Sequence, residues 1–283
     1  MTVPSRHPTL DELRARAHKG RHREVGNWLA RRVGRPWALY GTWVAVRLGL
    51  SAHQVTLLAW LAGMAAAVAV GTGSRWGFVA GVALAHLAFW LDHVDGQVAR
   101  WTGTASLDGV YLDYLMHHAT APALGFGLGY GLLSRTGQPL WAVAGFAIAS
   151  GWLFLGLHND ARYKAFFQRL KASPETFQVT GGAGGRPAPP PGWPRHGRGR
   201  LTWPAYKACE PHVVLLALTG MAPIALIAPD AWLRIDQTCV LLMALLAPTL
   251  ALARITRFAR RGGIEAEFAV WFQPAARESS TSL

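Results

Sequence analysis

Six apolar runs punctuate the chain at roughly 53–71, 77–97, 109–132, 139–157, 212–229 and 236–254. Each is near the length that a hydrocarbon core of about 30 Å demands of a helix. The pattern predicts an all-α, polytopic membrane helix bundle with six transmembrane helices. Ahead of the first run, the segment from Trp37 to Leu50 (WALYGTWVAVRLGL) mixes aromatic and aliphatic residues with Arg47. It is too short and too polar to span, and is expected to lie on the cytosolic face as an interfacial amphipathic helix. A polar insert at 158–211 separates the fourth and fifth runs. Its Gly/Pro/Arg-rich middle cannot support a core, so a mobile cytosolic loop is expected, dispensable over 181–198. The chain thus divides into a basic cytosolic arm (1–36), a membrane domain (37–255) and a cytosolic tail (256–283), with no internal repeat.

Composition strengthens the membrane reading. Only 15% of the 283 residues are charged, against about 25% in soluble chains, and they are gathered into a few segments. The net charge of +13 would suit nucleic acid, but the cations flank apolar runs, where anionic headgroups lie. No nucleic-acid partner is expected. Cys209 and Cys239 are isolated, which argues against a disulfide framework or a zinc site. The first 36 residues lack the apolar region of a cleavable signal peptide.

Orientation follows from the cations, because cytoplasmic segments carry the excess of Lys and Arg. With the N-terminus inside, the cytosolic segments hold nine cations in the arm, then Arg100, then a group from Arg162 to Lys207, and finally Arg254, Arg257, Arg260 and Arg261. The opposite loops hold Arg75, Arg135 and Arg234. Both termini are therefore expected in the cytosol of a multi-pass cell-membrane protein.

The chemistry concentrates where the second and third runs meet the cytosol. Of the fifteen acids in the chain, Asp92, Asp95, Asp108 and Asp113 fall within twenty-two residues. Intramembrane carboxylates are costly enough to mark function. Asp92 and Asp95 share one helix face; Gly109, Asp113 and His117 share a face of the next helix. Carboxylate oxygens from two such faces suit Mg²⁺, Mn²⁺ or Ca²⁺, ions that commonly hold a diphosphate. Gly96 and Ala99 allow close approach to the backbone, and Arg100 adds a cation with bidentate geometry for phosphate. A simple ion-paired helix end explains this poorly, since one Arg cannot balance three or four acids. Thr104 and Ser106, in the linking segment, are equally suited to donate to a phosphate or to face solvent, and Asp108 is a possible extra carboxylate.

Asp92-His-Val-Asp95-Gly96-Gln-Val-Ala99-Arg100, followed by Gly109, Asp113 and His117, resembles the signature of the CDP-alcohol phosphotransferase (CDP-alcohol phosphatidyltransferase) family: DxxDGxxAR, eight residues, GxxxDxxxD. Seven of its eight fixed positions match. Upstream, the stretch from Gly49 to Thr56 (GLSAHQVT) is similar to the family's G-[LI]-[ST]-P-N-x-[VL]-T, and the likeness extends over about 50–255. It implies a homodimeric enzyme that transfers a substituted phosphate from a CDP-alcohol donor to an alcohol acceptor, a lipid or a phosphorylated polyol, releasing CMP in phospholipid or lipid-linked synthesis. It implies a divalent cofactor, Mg²⁺ or Mn²⁺ as two ions, on Asp92, Asp95 and Asp113, with His117 at the fourth ligand position. It further implies a nucleotide site at Asp92, Gly96, Ala99, Arg100, Ser106 and Thr56, and catalytic roles for Asp113 and His117.

Two departures stand out: His117 replaces the fourth aspartate, and Ala52-His53 replaces the usual Pro-Asn. Imidazole can ligate a divalent ion or accept a proton, so altered metal use or an altered acceptor fits better than loss of activity. His118, one residue on, is turned about 100° away on an ideal helix. Arg162, Lys164, Arg254 or Arg257 can supply a basic pocket for a phosphorylated acceptor, or merely anchor spans. An intramembrane prenyltransferase would lack a reason for Gly96, Ala99 and Arg100. A transporter should show repeat symmetry, and a silent scaffold no CMP release.

Overall fold

The computed structural model describes residues 7–17, 27–179 and 199–274. The centre of the expected loop, 180–198, lies outside the described residues. Among the described residues the architecture is helical apart from one two-stranded ladder.

Helix starts are written locally. Thr9 and Glu12 form a reciprocal cap, with Glu12 N donating to Thr9 Oγ1 (3.2 Å) and Thr9 N to Glu12 Oε2 (2.7 Å), ahead of α1 (Leu10–Ala17). A π-helical turn at Ala30–Gly34 leads into α2 (Arg35–Arg47). The GLSAHQVT stretch does similar work at α3 (Ala52–Gly71), where the Ser51 side chain accepts from Gln54 N and Gln54 Oε1 from Ser51 N. Serine caps likewise start α4 (Arg75–Thr102) at Ser74 and α5 (Leu107–Thr136) at Ser106. Gly103, at φ 72°, ends α4 in the left-handed conformation that glycine tolerates best. Then come α6 (Leu140–Ala172), β1 (Phe177–Val179), α7 (Gly199–Ala208), α8 (Pro211–Ile227), α9 (Pro229–Arg260), α10 (Gly263–Trp271) and β2 (Phe272–Pro274).

Among the described residues four helices, α3, α4, α6 and α9, are long and apolar enough to cross a membrane, the composition of a multi-pass membrane protein. The third and fifth expected runs fall on α5, of 30 residues, and α8, a shorter apolar helix of 17 residues. Neither meets the same length and hydropathy standard, α8 by its length.

Small residues decide the packing, because lipid tails offer helices no hydrophobic drive to associate and van der Waals fit must replace it. A Cβ at Gly127 would lie 2.5 Å from the Ala67 carbonyl, and one at Gly131 2.5 Å from that of Val70, so α5 rides directly on α3. On the other side of α5, Gly129 meets Gly145 of α6 backbone to backbone. At the end away from the carboxylates, Arg135 pairs with Asp236 and stacks 3.8 Å over the Trp232 ring, fastening α5 to α9.

Three features differ from the boundaries drawn from sequence. Helix α6 continues past residue 157 to Ala172, so the insert begins as helix. Helix α9 runs unbroken through 255 to Arg260. The segment after it folds back: β2 pairs antiparallel with β1, Phe177 opposite Pro274, and Phe166, Phe177, Phe268 and Phe272 stack edge to face or tilted at 5.0–6.0 Å. Beneath this cap, Glu267 accepts from Arg162 at 2.5 Å with both side chains buried. Hydropathy does not announce such contacts, since they join segments about a hundred residues apart.

Candidate active site

Helices α4 and α5 each pack along α3 rather than against one another. That leaves a cleft between them at the end where the carboxylates lie. Helical spacing places Asp113 and His117 one turn apart on α5, and Asp92 approaches from α4. His117 Nε2 lies 3.3 Å from Asp92 Oδ1 and 3.4 Å from Asp113 Oδ1, bridging the two helices. One ligand atom from each of the three falls within 4.8 Å of the others. Ligands around one divalent ion sit about 2.0–2.6 Å from it, so their mutual distances reach roughly that value. Two carboxylates and an imidazole therefore fit a hard or borderline divalent cation. His117 is half exposed and Asp92 is largely covered.

The remaining residues of the signature have definite places. Asp95 is buried and turned toward α3, where Thr56 Oγ1 donates to its Oδ2 at 2.7 Å; it stands outside the three-residue cluster. Thr56 thus serves Asp95 directly. Gln97, also buried, pins α2 to α4 by accepting from Thr42 Oγ1 and donating to the Arg35 carbonyl. Arg100 folds back over Gly96, whose added Cβ would meet Arg100 Nη1 at 3.1 Å, and its Nε donates to the Ala17 carbonyl at 2.6 Å. The Ala99 carbonyl accepts from Gly103 N and Thr104 N at the helix end. Ser106 Oγ accepts from Gly109 N at 3.1 Å as the cap of α5, and His53 lies beside that same glycine. Asp108 is exposed in the first turn of α5, where a negative charge suits the helix dipole; it is not part of the cluster.

Sequence reasoning missed His93 and Asp160. His93 Nδ1 lies 3.4 Å from Asp92 Oδ2, with the ring edge-on to Phe89 and seated against Gly34 of the π-helical turn. Asp160 of α6 pairs with His118 Nε2, so the residue turned away from the cluster is held by another helix. Asp160 lies just past the fourth apolar run, at the start of the polar insert.

A cavity of about 500 Å³ joins Asp92 and His117 to His118, Asp160 and Arg254, with walls otherwise largely apolar, among them Gly63, Ala88, Leu124 and Val214. Of the cations considered for an acceptor pocket, Arg162 is engaged by Glu267, and Lys164 and Arg257 are exposed. Arg254 reaches the cavity, donating to Asn159 Oδ1 at 3.1 Å and to Tyr206 OH at 3.3 Å.

Residues 50–173 match the CDP-alcohol phosphatidyltransferase family model. The matched CDP-alcohol phosphatidyltransferase segment runs from the cap of α3 through α6 and contains the whole cluster. It is shorter than the 50–255 suggested by the sequence resemblance, leaving α8 and α9 beyond it. No curated protein sequence matches the chain. The family it is similar to transfers phosphate groups from CDP-alcohols and uses divalent metal.

Proposed function

We propose that the protein transfers a substituted phosphate from a CDP-alcohol to an alcohol hydroxyl, releasing CMP, in phospholipid or lipid-linked synthesis. The observation that carries this reading is the convergence of Asp92, Asp113 and His117 across the α4–α5 cleft. In it, Asp92, Asp95, Asp113 and His117 would hold Mg²⁺ or Mn²⁺ as two ions, with Thr56 orienting the Asp95 carboxylate. When bound, such cations supply charge neutralisation for the diphosphate. Gly96 and Ala99 let the nucleotide approach the helix, and Arg100 and Ser106 donate to its phosphates. His117, exposed at the cleft, takes the acceptor's proton or completes the metal set; Asp113 orients it across 3.4 Å. Electrons flow from the acceptor oxygen to phosphorus, and the bridging oxygen leaves with CMP. The apolar cavity beside the cluster supports a lipid substrate.

The test is a screen of CDP-choline, CDP-ethanolamine and CDP-diacylglycerol for CMP release, with Mg²⁺ or Mn²⁺ and with candidate acceptors. Metal-dependent CMP release from one donor is expected. No release from any donor would favour a silent scaffold, the reading that the missing fourth aspartate invites.

The same proposal includes six spans, α3–α6, α8 and α9, with both termini cytosolic, in a homodimer. Helix α2 would be the interfacial element: it buries Ala38, Leu39, Ala45 and Val46 while exposing Trp37, Tyr40 and Val44, an apolar outer face suited to a headgroup boundary. Reporter fusions after Arg135 and Arg234 are expected to read outside and a C-terminal fusion inside. A cytosolic signal at Arg135 would overturn the six-span arrangement.

A further inference from the structure

Helix α1 belongs to the basic N-terminal arm and is docked as part of the core. Leu13 and Ala17 are fully buried and pack in one cluster with Ala38 of α2 and Val94, Val98 and Trp101 of α4. Arg16 lies 5.6 Å over the Trp101 ring, next in sequence to Arg100. The last described residue of α1 then makes a polar contact with the signature itself: the Ala17 carbonyl accepts from Arg100 Nε at 2.6 Å, across 83 residues of chain.

That bond has a geometric consequence. An arginine at a helix end samples many rotamers, and binding must freeze them. Here the Nε bond and the contact with Gly96, where a Cβ would sit 3.1 Å from Nη1, fold the guanidinium back along α4 toward the carboxylates. The carbonyl at the C-terminal end of α1 is a suitable anchor, since last-turn carbonyls lack helical partners and carry the negative end of the dipole.

We infer that α1 is a positioning element for nucleotide binding: by holding Arg100 Nε through the Ala17 carbonyl, it orients the guanidinium for the phosphates of the CDP-alcohol before the ligand arrives. The inference rests on the reading above that Arg100 serves the nucleotide. It predicts that unseating α1 weakens the nucleotide's ground-state binding and acts through Arg100 alone.

The experiment measures CMP affinity with Mn²⁺, by calorimetry on the full-length protein in detergent, for the parent, Leu13→Asp, Leu13→Ala, Arg100→Ala and the Leu13→Asp/Arg100→Ala double variant. Leu13→Asp is expected to raise the Kd about tenfold, the scale of one hydrogen bond to a charged group, and Leu13→Ala less. In the Arg100→Ala background Leu13→Asp should change the Kd less than about twofold, because residues acting through one another are not additive. Steady-state assays should show a raised KM for the donor with kcat little changed. Leu13→Ala keeps an apolar residue at that seat and covers the case in which Leu13→Asp does not fold. Additive losses, or unchanged affinity in both Leu13 variants while Arg100→Ala binds weakly, would overturn positioning alone. Parent-like affinity in Arg100→Ala would instead remove Arg100 from the nucleotide site, and positioning with it.

Discussion

Asp113→Asn is expected to lower CMP release by about 10²–10³-fold, the scale on which a preorganised electrostatic partner acts, while the protein remains inserted and folded. Asp113 is partly exposed at the cleft and lies 3.4 Å from His117, so removing its charge disturbs the chemistry far more than the packing. Asp92→Asn should act similarly from the facing helix. His117 provides the sharper comparison. His117→Ala should lose most activity, whereas His117→Asp should retain a measurable fraction and shift preference from Mn²⁺ toward Mg²⁺, since an oxygen ligand replaces a borderline nitrogen. Rates with both metals decide the matter, alongside size-exclusion profiles as a check on folding. Near-parent activity in Asp113→Asn would sink the two-helix metal site, and a fully active His117→Ala would place that imidazole outside the chemistry.

The largest loss of stability is expected from Glu267→Ala. Glu267 and Arg162 are 4% and 7% exposed and bonded at 2.5 Å. Deleting one member of a buried pair strands the other, at a cost of roughly 3–5 kcal/mol. Thermal unfolding in detergent should then begin on the order of 10 °C lower, with release of α10 and the β1–β2 ladder detectable by faster proteolysis near residue 274. A double replacement by apolar residues of similar volume should recover much of the loss, because no charge is left unpaired. An unchanged unfolding profile for Glu267→Ala would show that the cap is not tied to the bundle through this pair.

What was legible in the sequence is what depends on local spacing. Apolar run length places helices, and the caps at Ser51, Ser74 and Ser106 start them within a residue or two of the runs. The interval of four residues puts Asp113 and His117 on one face, and the signature around Asp92 marks the partner helix. Even the offset of His118 is a matter of helical rotation. Tertiary structure decided everything that depends on which helix meets which. Asp95, equivalent to Asp92 by spacing, is drawn to Thr56 because α4 packs closely on α3. His93 joins Asp92 only because a glycine in the π-helical turn leaves room for its ring. Asp160 becomes the partner of His118, Glu267 that of Arg162, and the Ala17 carbonyl that of Arg100, across separations of 42, 105 and 83 residues. Such pairs leave no period in the chain, because a salt bridge or hydrogen bond between distant segments constrains two side chains in space and nothing between them in sequence.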